Sequence, residues 1–356
     1  MKKRILSVGM DVHLLAIVIC VRDQQGKILS RSVIETSTQA VRDFLYSLRG
    51  EVHVTFEEGT MAAWLYDVVK PLVDHLIVCN PKHNKKRMGS NRNDRIDAAT
   101  LAELLRLNAV KAVSHGEHGT RTLKHLMRSY ECFATDIARV KNRLKALYNS
   151  RVITSRGREL YHVSKRKTWI EKLENAGERK RAELLFLQLE ELKKLKRAAQ
   201  KAMIAESRRH PAHEILSQVP ELGPVRVAQI IATVDTPYRF RTKRLFWKYL
   251  GLAVQMRSSS DHEVIDGRVR RRSKQVVETR GLNEDYNRRR KAIFKSAAAH
   301  SCGCGVYKEY YEGLLQKGMR PEMARLSVAR KLAALVLAIW KSGESFDEGR
   351  IMTKAA

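Results

Sequence analysis

The stretch that most constrains this chain is Ile5-Leu6-Ser7-Val8-Gly9-Met10-Asp11, an apolar run that stops on a carboxylate and is followed by Val12-His13. A short apolar run of this kind, bounded by charge, predicts a buried strand. A carboxylate at its end is costly to take out of water unless it is paired or binds a cation. Two readings fit Asp11 so far. It is either a turn acid, a role Asp favours, or the first ligand of a metal site.

The residues that follow predict a recognisable order. Leu14 to Arg22, dominated by Ile, Val and Ala, reads as a second strand, and Asp23-Gln24-Gln25-Gly26 as a hairpin turn. Lys27 to Glu35 alternates as a third strand. Thr36 to Gln39 caps a helix whose Val41, Phe44, Leu45 and Leu48 share one face. Val52 to Phe56 is a fourth strand ending in Glu57-Glu58-Gly59-Thr60. A helix from about Met61 to Leu72 and a fifth strand, His75 to Cys79, complete the pattern. Three antiparallel strands, then helix, strand, helix and strand, is the order of the ribonuclease H-like fold.

The acids fall where that fold puts metal ligands. Asp11 ends the first strand and Glu57 the fourth. Asp94 and Asp97, in Asn93-Asp94-Arg95-Ile96-Asp97-Ala98, open a helix to about Leu107, on which their spacing gives them a shared face. Two divalent cations about 3.5–4 Å apart can clamp the attacking and leaving oxygens of a phosphodiester. Hard Mg²⁺ takes carboxylate oxygens, and four crowded carboxylates would repel one another without it. Taken singly, Glu57 or Glu58 also reads as a turn residue, Asp94 as an N-cap and Asp97 as a helix-dipole acid. The basic loop Pro81 to Arg92, beside these acids, reads equally as solvated or as a phosphate contact.

A length of 356 residues predicts two or three domains. Lys and Arg number 68 against 38 Asp and Glu, a formal charge of +30 that suits a polyanion such as DNA or RNA. A membrane role is disfavoured, because the sequence has no lipidation motif and no apolar span of about 18 residues. With no signal peptide expected after Met1-Lys2-Lys3-Arg4, the location predicted is the cytoplasm. Five scattered cysteines read as reduced thiols. Their one cluster, Cys302-Gly303-Cys304 near His300, reads as a loop with incidental thiols rather than a zinc site.

Helical spacing returns from about Thr120 to Asn149, through Leu123, Leu126, Met127, Tyr130, Phe133, Ile137, Val140, Leu144 and Leu147. It recurs from about Lys180 to Glu206. Two long helices with a loop between them predict an antiparallel arm, a device for self-association; a plain helical linker is the other reading. Val219-Pro220-Glu221-Leu222-Gly223-Pro224 then has the shape of a helix-hairpin-helix turn, in which backbone N–H groups hold a DNA phosphate. A structural helical hairpin fits the same residues. Arg257-Ser258-Ser259-Ser260 reads as an ordinary loop on composition. Helices are predicted over Asn283 to Ala299 and about Pro321 to Lys341.

Nearly the whole chain resembles one family, the DEDD transposases of bacterial insertion sequences of the IS110 family, also called bridge-RNA-guided recombinases. Gly9-Met10-Asp11-Val12-His13, Phe56-Glu57-Glu58-Gly59 and Asn93-Asp94-Arg95-Ile96-Asp97-Ala98 look like its RuvC-like acidic motifs. Val219 to Pro224, Tyr249-Leu250-Gly251-Leu252, Arg257 to Ser260 and Ala329-Arg330-Lys331-Leu332-Ala333 look like its C-terminal transposase domain. The resemblance implies a RuvC-like catalytic domain over 1–118, a coiled-coil arm over 119–208 that self-associates, and a mainly α-helical transposase domain over 209–356.

It also implies Asp11, Glu57, Asp94 and Asp97 as ligands of Mg²⁺, with Mn²⁺ as a substitute, and a serine nucleophile that forms a covalent phosphoserine with DNA. Ser259 is the choice and Ser258 the fallback, because Ser260 stands where the family has Gly and Val254 where it has Pro. Donor and target DNA, a bridge RNA, a homo-oligomer (dimer or tetramer) and a place at the bacterial nucleoid follow from the same resemblance. Two rivals remain open from the residues. One is a RuvC-like nuclease or junction resolvase that uses water. The other is a nucleic-acid-binding protein whose acids are structural.

Overall fold

The computed structural model describes residues 4–81, 94–113, 119–259, 262–265, 268–271, 275–283, 286, 288–347 and 349. The chain divides into two compact units, Met1–Glu117 and His118–Ala356.

The first unit is a five-stranded mixed sheet with helices on both faces. Strands β1 (Ile5–Val12), β2 (Ala16–Arg22) and β3 (Ile28–Glu35) form an antiparallel meander. Helix α1 (Thr38–Ser47), N-capped by the Ser37 side chain, returns the chain to β4 (Glu51–Glu57), which lies parallel to β1 on its other side. Helix α2 (Ala62–Val69) leads to β5 (His75–Cys79), parallel to β4, and α3 spans Asp94–Arg106. The spatial order β3-β2-β1-β4-β5 reverses direction between β1 and β4.

Alternation along the strands assigns the two faces. Val8 and Met10 of β1 and Val54 and Phe56 of β4 pack with Val41 and Leu45 of α1 and Leu65 and Val69 of α2. On the opposite face, Val18 and Cys20 of β2 pack with Ala98, Ala99 and Ala102 of α3. Cover on both faces explains why β2 is almost wholly apolar. Edge strand β3 alternates instead, with Leu29 and Val33 exposed.

The second unit is helical apart from a β-ribbon. Helix α4 (Arg121–Asn149) and helix α6 (Ala176–Ser207) run against each other, with the short α5 (Arg166–Glu171) between them in sequence. The far end of this pair has its own core, in which the Tyr148 and Trp169 rings meet edge to face at 5.4 Å beside Leu160, Leu173 and Phe186. The near end, through Leu123 and Met203, joins the main core. That core is built from α7 (Pro211–Ser217), α8 (Pro224–Val234), α9 (Lys243–Leu250), α10 (Arg288–Cys304) and α12 (Pro321–Ser342), with α11 (Lys308–Gln316) packed beside it. Strands β6 (Val254–Ser259) and β9 (Gln275–Leu282) pair antiparallel, and β7 (His262–Ile265) pairs with β8 (Arg268–Arg271).

The sheet followed by a largely helical region is the broad architecture expected, with two departures. The serine stretch is strand as far as Ser259, not loop: Val254-Gln255-Met256-Arg257 alternates with period two, and Val254 to Ser259 pairs with Gln275 to Leu282. Cys302, Gly303 and Cys304 lie in the last turn of α10, not in a loop. That helix starts at Arg288 because Asn283 closes the ribbon instead. Among the described residues, no helix is long and apolar enough to cross a membrane.

Candidate active site

Register brings two of the predicted acids together. Met10 stands opposite Phe56 across the parallel β1–β4 pair, so Asp11 and Glu57 are each one step further along neighbouring strands. Both alternate with residues of the α1–α2 core, so both belong to the α3 face. They sit at the carboxyl ends of the strands where the order reverses, the position at which open α/β sheets bind ligands. Glu58 is past the strand, exposed, and its N–H donates to the Cys79 carbonyl at 2.8 Å.

Gly9 seats the third element. A Cβ there would lie 2.3 Å from the Ala98 carbonyl oxygen, 2.4 Å from the Ala102 nitrogen and 2.9 Å from Leu101 Cβ. Helix α3 therefore rests directly on β1 two residues before Asp11, and the contact residue Ala98 adjoins Asp97. Asp97 is half-buried on this helix. Asp94 is its first residue, and the Asp94 side chain lies outside the described residues. So do residues 82–93, which include most of the predicted basic loop. Among the described residues, no three His, Cys, Asp or Glu side chains gather closely enough to hold a metal ion.

One polar contact was not anticipated. His13 Nε2 lies 3.1 Å from Asp11 Oδ2; facing a carboxylate, that nitrogen carries the proton and donates. The His13 carbonyl accepts from Thr36 Oγ1 at 2.8 Å, tying the β1–β2 turn to the end of β3. The signal was present in the sequence, because residues two apart at a strand end point the same way.

In the second unit, Ser258 and Ser259 pair through their backbones with Val276 and Gln275; their side chains, and Ser260, lie outside the described residues. The root of this ribbon is firmly built. Gly251 ends α9 in the left-handed conformation (φ 72°), with the Tyr286 ring against it where a Cβ would be 2.3 Å from Cγ. The Asn283 N–H donates to the Ala253 carbonyl at 2.9 Å and its Nδ2 donates to the Lys248 carbonyl at 2.8 Å, tying the end of β9 to the residues just before β6. Arg330 Nε donates to the Leu252 carbonyl at 2.6 Å, and Trp247 Nε1 to the Arg330 carbonyl at 2.9 Å. Burial holds the Arg330 pKa below the usual arginine value. Two of the sequence motifs, around Tyr249 and Arg330, thus meet at the root of the strand that carries the third, Arg257 to Ser259.

Comparison with known families decides the identity. A transposase model of the DEDD, IS110 type matches residues 8–150, and one described as "Transposase IS116/IS110/IS902 family" matches residues 213–279. The chain belongs to the IS110 family of transposases. No curated protein matches it. As a DNA transposase it acts on DNA, and the first matched region holds Asp11, Glu57, Asp94 and Asp97 while the second holds Ser258 and Ser259.

Proposed function

We propose that this transposase moves its insertion sequence by metal-dependent strand cleavage and exchange through a covalent phosphoserine, with a RuvC-like, ribonuclease H-like first domain supplying the acids. The observation that carries the reading is the placement of Asp11 and Glu57 at the strand-order reversal, with α3 seated on Gly9 beside them. Their carboxylate chemistry suits a hard divalent cation, Mg²⁺ or Mn²⁺. Asp11, Glu57, Asp94 and Asp97 would hold it, and when bound it would stabilise charge on the phosphodiester oxygens. His13, donating to Asp11 Oδ2, fixes the orientation of that carboxylate.

Ser259 is the nucleophile, with Ser258 as the alternate. Its Oγ attacks phosphorus and gives up its proton to a base, and the bond from phosphorus to the departing sugar oxygen breaks. The new phosphoserine ester conserves the bond energy for rejoining to a second strand. In support of this reading, Gly251, Asn283 and Arg330 fix the root of the strand on which these serines lie.

The remaining assignments follow from the family and the sequence. The domains are 1–118, 119–208 and 209–356. A bridge RNA pairs with donor and target DNA at the bacterial nucleoid. The α4–α6 arm joins copies of the chain into a dimer or tetramer, for which the exposed Leu184, Leu187 and Leu195 are apolar contact points. At the turn before α8, Gly223 caps the helix without a side chain, Pro224 has no N–H and the Arg226 and Val227 N–H groups donate to the Gly223 carbonyl, so the Val225 N–H is the first-turn donor for a DNA phosphate, as in a helix-hairpin-helix. The test is strand exchange between donor and target plasmids with co-purified RNA. Asp11→Ala and Glu57→Ala should each lower the rate at least about 100-fold, as should chelation of the metal. Exchange that survives Asp11→Ala at the wild-type rate refutes the reading.

A further inference from the structure

Cations along helix α6 and at its C-terminal cap are held in different ways: Arg179 donates to the Leu173 and Glu174 carbonyls, and Lys196 lies over the Tyr130 ring. Lys180 is paired with Glu183, Lys193 with Glu190, Lys194 with Glu191 and Arg209 with Glu206, each three residues apart. Arg197, Lys201 and Arg208 have no carboxylate partner among the described residues, and all three are exposed. They fall on one stripe, on a face of the helix shared with Gln200, Ile204 and Ala205. Like charges at the spacing of Arg197 and Lys201 oppose helix formation, so folding alone does not favour this arrangement. The field of the arm is positive nearby as well. Lys141 on α4 is held below the usual lysine pKa first by burial and then by Lys193, Arg158 and Lys196.

We infer that this stripe is a seat for the sugar–phosphate backbone of duplex DNA, separate from the acids and from the ribbon serines. Eleven residues of helix separate Arg197 from Arg208, about 16 Å at 1.5 Å per residue. That span matches about five phosphate steps of one DNA strand. Leu187, Leu184 and Leu195 lie about 60°, 120° and 140° around α6 from the middle of the stripe, so the arm can hold DNA on one side and apolar partners on another. Contacts of this kind fix the register of a duplex and carry no sequence information.

The experiment is fluorescence anisotropy of the whole protein with a duplex of about 30 base pairs of arbitrary sequence, across a salt series. It compares wild type with Arg197→Gln/Lys201→Gln/Arg208→Gln. Each lost phosphate contact removes about 0.9 from the slope of log Kd against log salt. The triple variant should therefore lose about 2 to 3 units of slope. Between 50 and 200 mM salt, three contacts amount to about a 40-fold smaller change in Kd. A control with the same charge removed from paired, exposed cations, Arg139→Gln/Lys180→Gln/Lys308→Gln, should lose less than one unit. Circular dichroism checks that both variants keep their helices. An unchanged slope in the first variant, an equal loss in the control, or a loss on duplex RNA alone overturns the inference. None of these readings depends on cleavage, so they stand apart from the fate of the proposed chemistry.

Discussion

Adding one methyl group at Gly9 tests how the candidate site is assembled. Gly9→Ala places a carbon 2.3 Å from the Ala98 oxygen and 2.4 Å from the Ala102 nitrogen, both backbone atoms that cannot swing aside. Ordinary contact is near 3.5 Å, so α3 must retreat by about 1 Å. Overpacking of this kind costs about 1–3 kcal/mol. For a unit of this size that corresponds to a fall in Tm of roughly 5–15 °C. The larger effect is on chemistry, because about 1 Å of misplacement can cost on the order of 100-fold in rate. Thermal unfolding by circular dichroism gives the first quantity. Strand exchange measured well below the transition, where the variant is folded, gives the second. A Gly9→Ala protein with wild-type Tm and wild-type exchange would refute the seating of α3 on β1, and with it the proposal that α3 brings Asp94 and Asp97 to Asp11.

Gly313 lies inside α11, where an added Cβ meets nothing within 4 Å. Gly313→Ala should therefore raise stability by about 0.5–1 kcal/mol in urea unfolding, through helix propensity and a less flexible unfolded chain. The two glycine substitutions thus carry opposite signs. His213 Nδ1 lies 2.8 Å from Ser207 Oγ, and burial, followed by the charge of Arg208, lowers its pKa from the usual 6.5. The folded state keeps it neutral while the unfolded chain takes up a proton below about pH 6.5. Its contribution to stability is therefore complete above that pH and is lost as pH falls beneath it. The urea midpoint of the wild type should drop between pH 7 and pH 5.5, and His213→Gln should remove that part of the drop.

Much of the first unit was legible because its strands end on unmistakable residues. Asp11 lies one residue before the end of β1, Glu57 ends β4, and Gly26 turns the β2–β3 hairpin with φ 89°. The long helices were equally plain, since an apolar face repeated over eight turns leaves little latitude. The ribbon that carries Ser258 and Ser259 was hidden by its composition, because serine and arginine mask a period-two pattern that only pairing with β9 makes visible. Gly9 looked like one small residue in an apolar strand, and its purpose exists only once α3 lies across it. The bonds from Asn283 and Arg330 to the ribbon root join residues 35 and 78 positions apart, beyond the reach of any local pattern. His13 was inside the motif and still went unassigned, because its two-residue spacing from Asp11 hints at a shared side of the strand end that their 3.1 Å separation makes definite.

The proposal at the centre of this account is that acids of the first unit and a serine of the second serve one reaction. The most direct measurement is the protein–DNA species formed during exchange, separated on a denaturing gel and mapped by mass spectrometry of its tryptic peptides. The account predicts a phosphoserine ester at Ser259. It should persist in Ser258→Ala, vanish in Ser259→Ala, and fail to form in Asp11→Ala. Free DNA ends with no protein attached, or an adduct that forms at the wild-type level without Asp11, would contradict it.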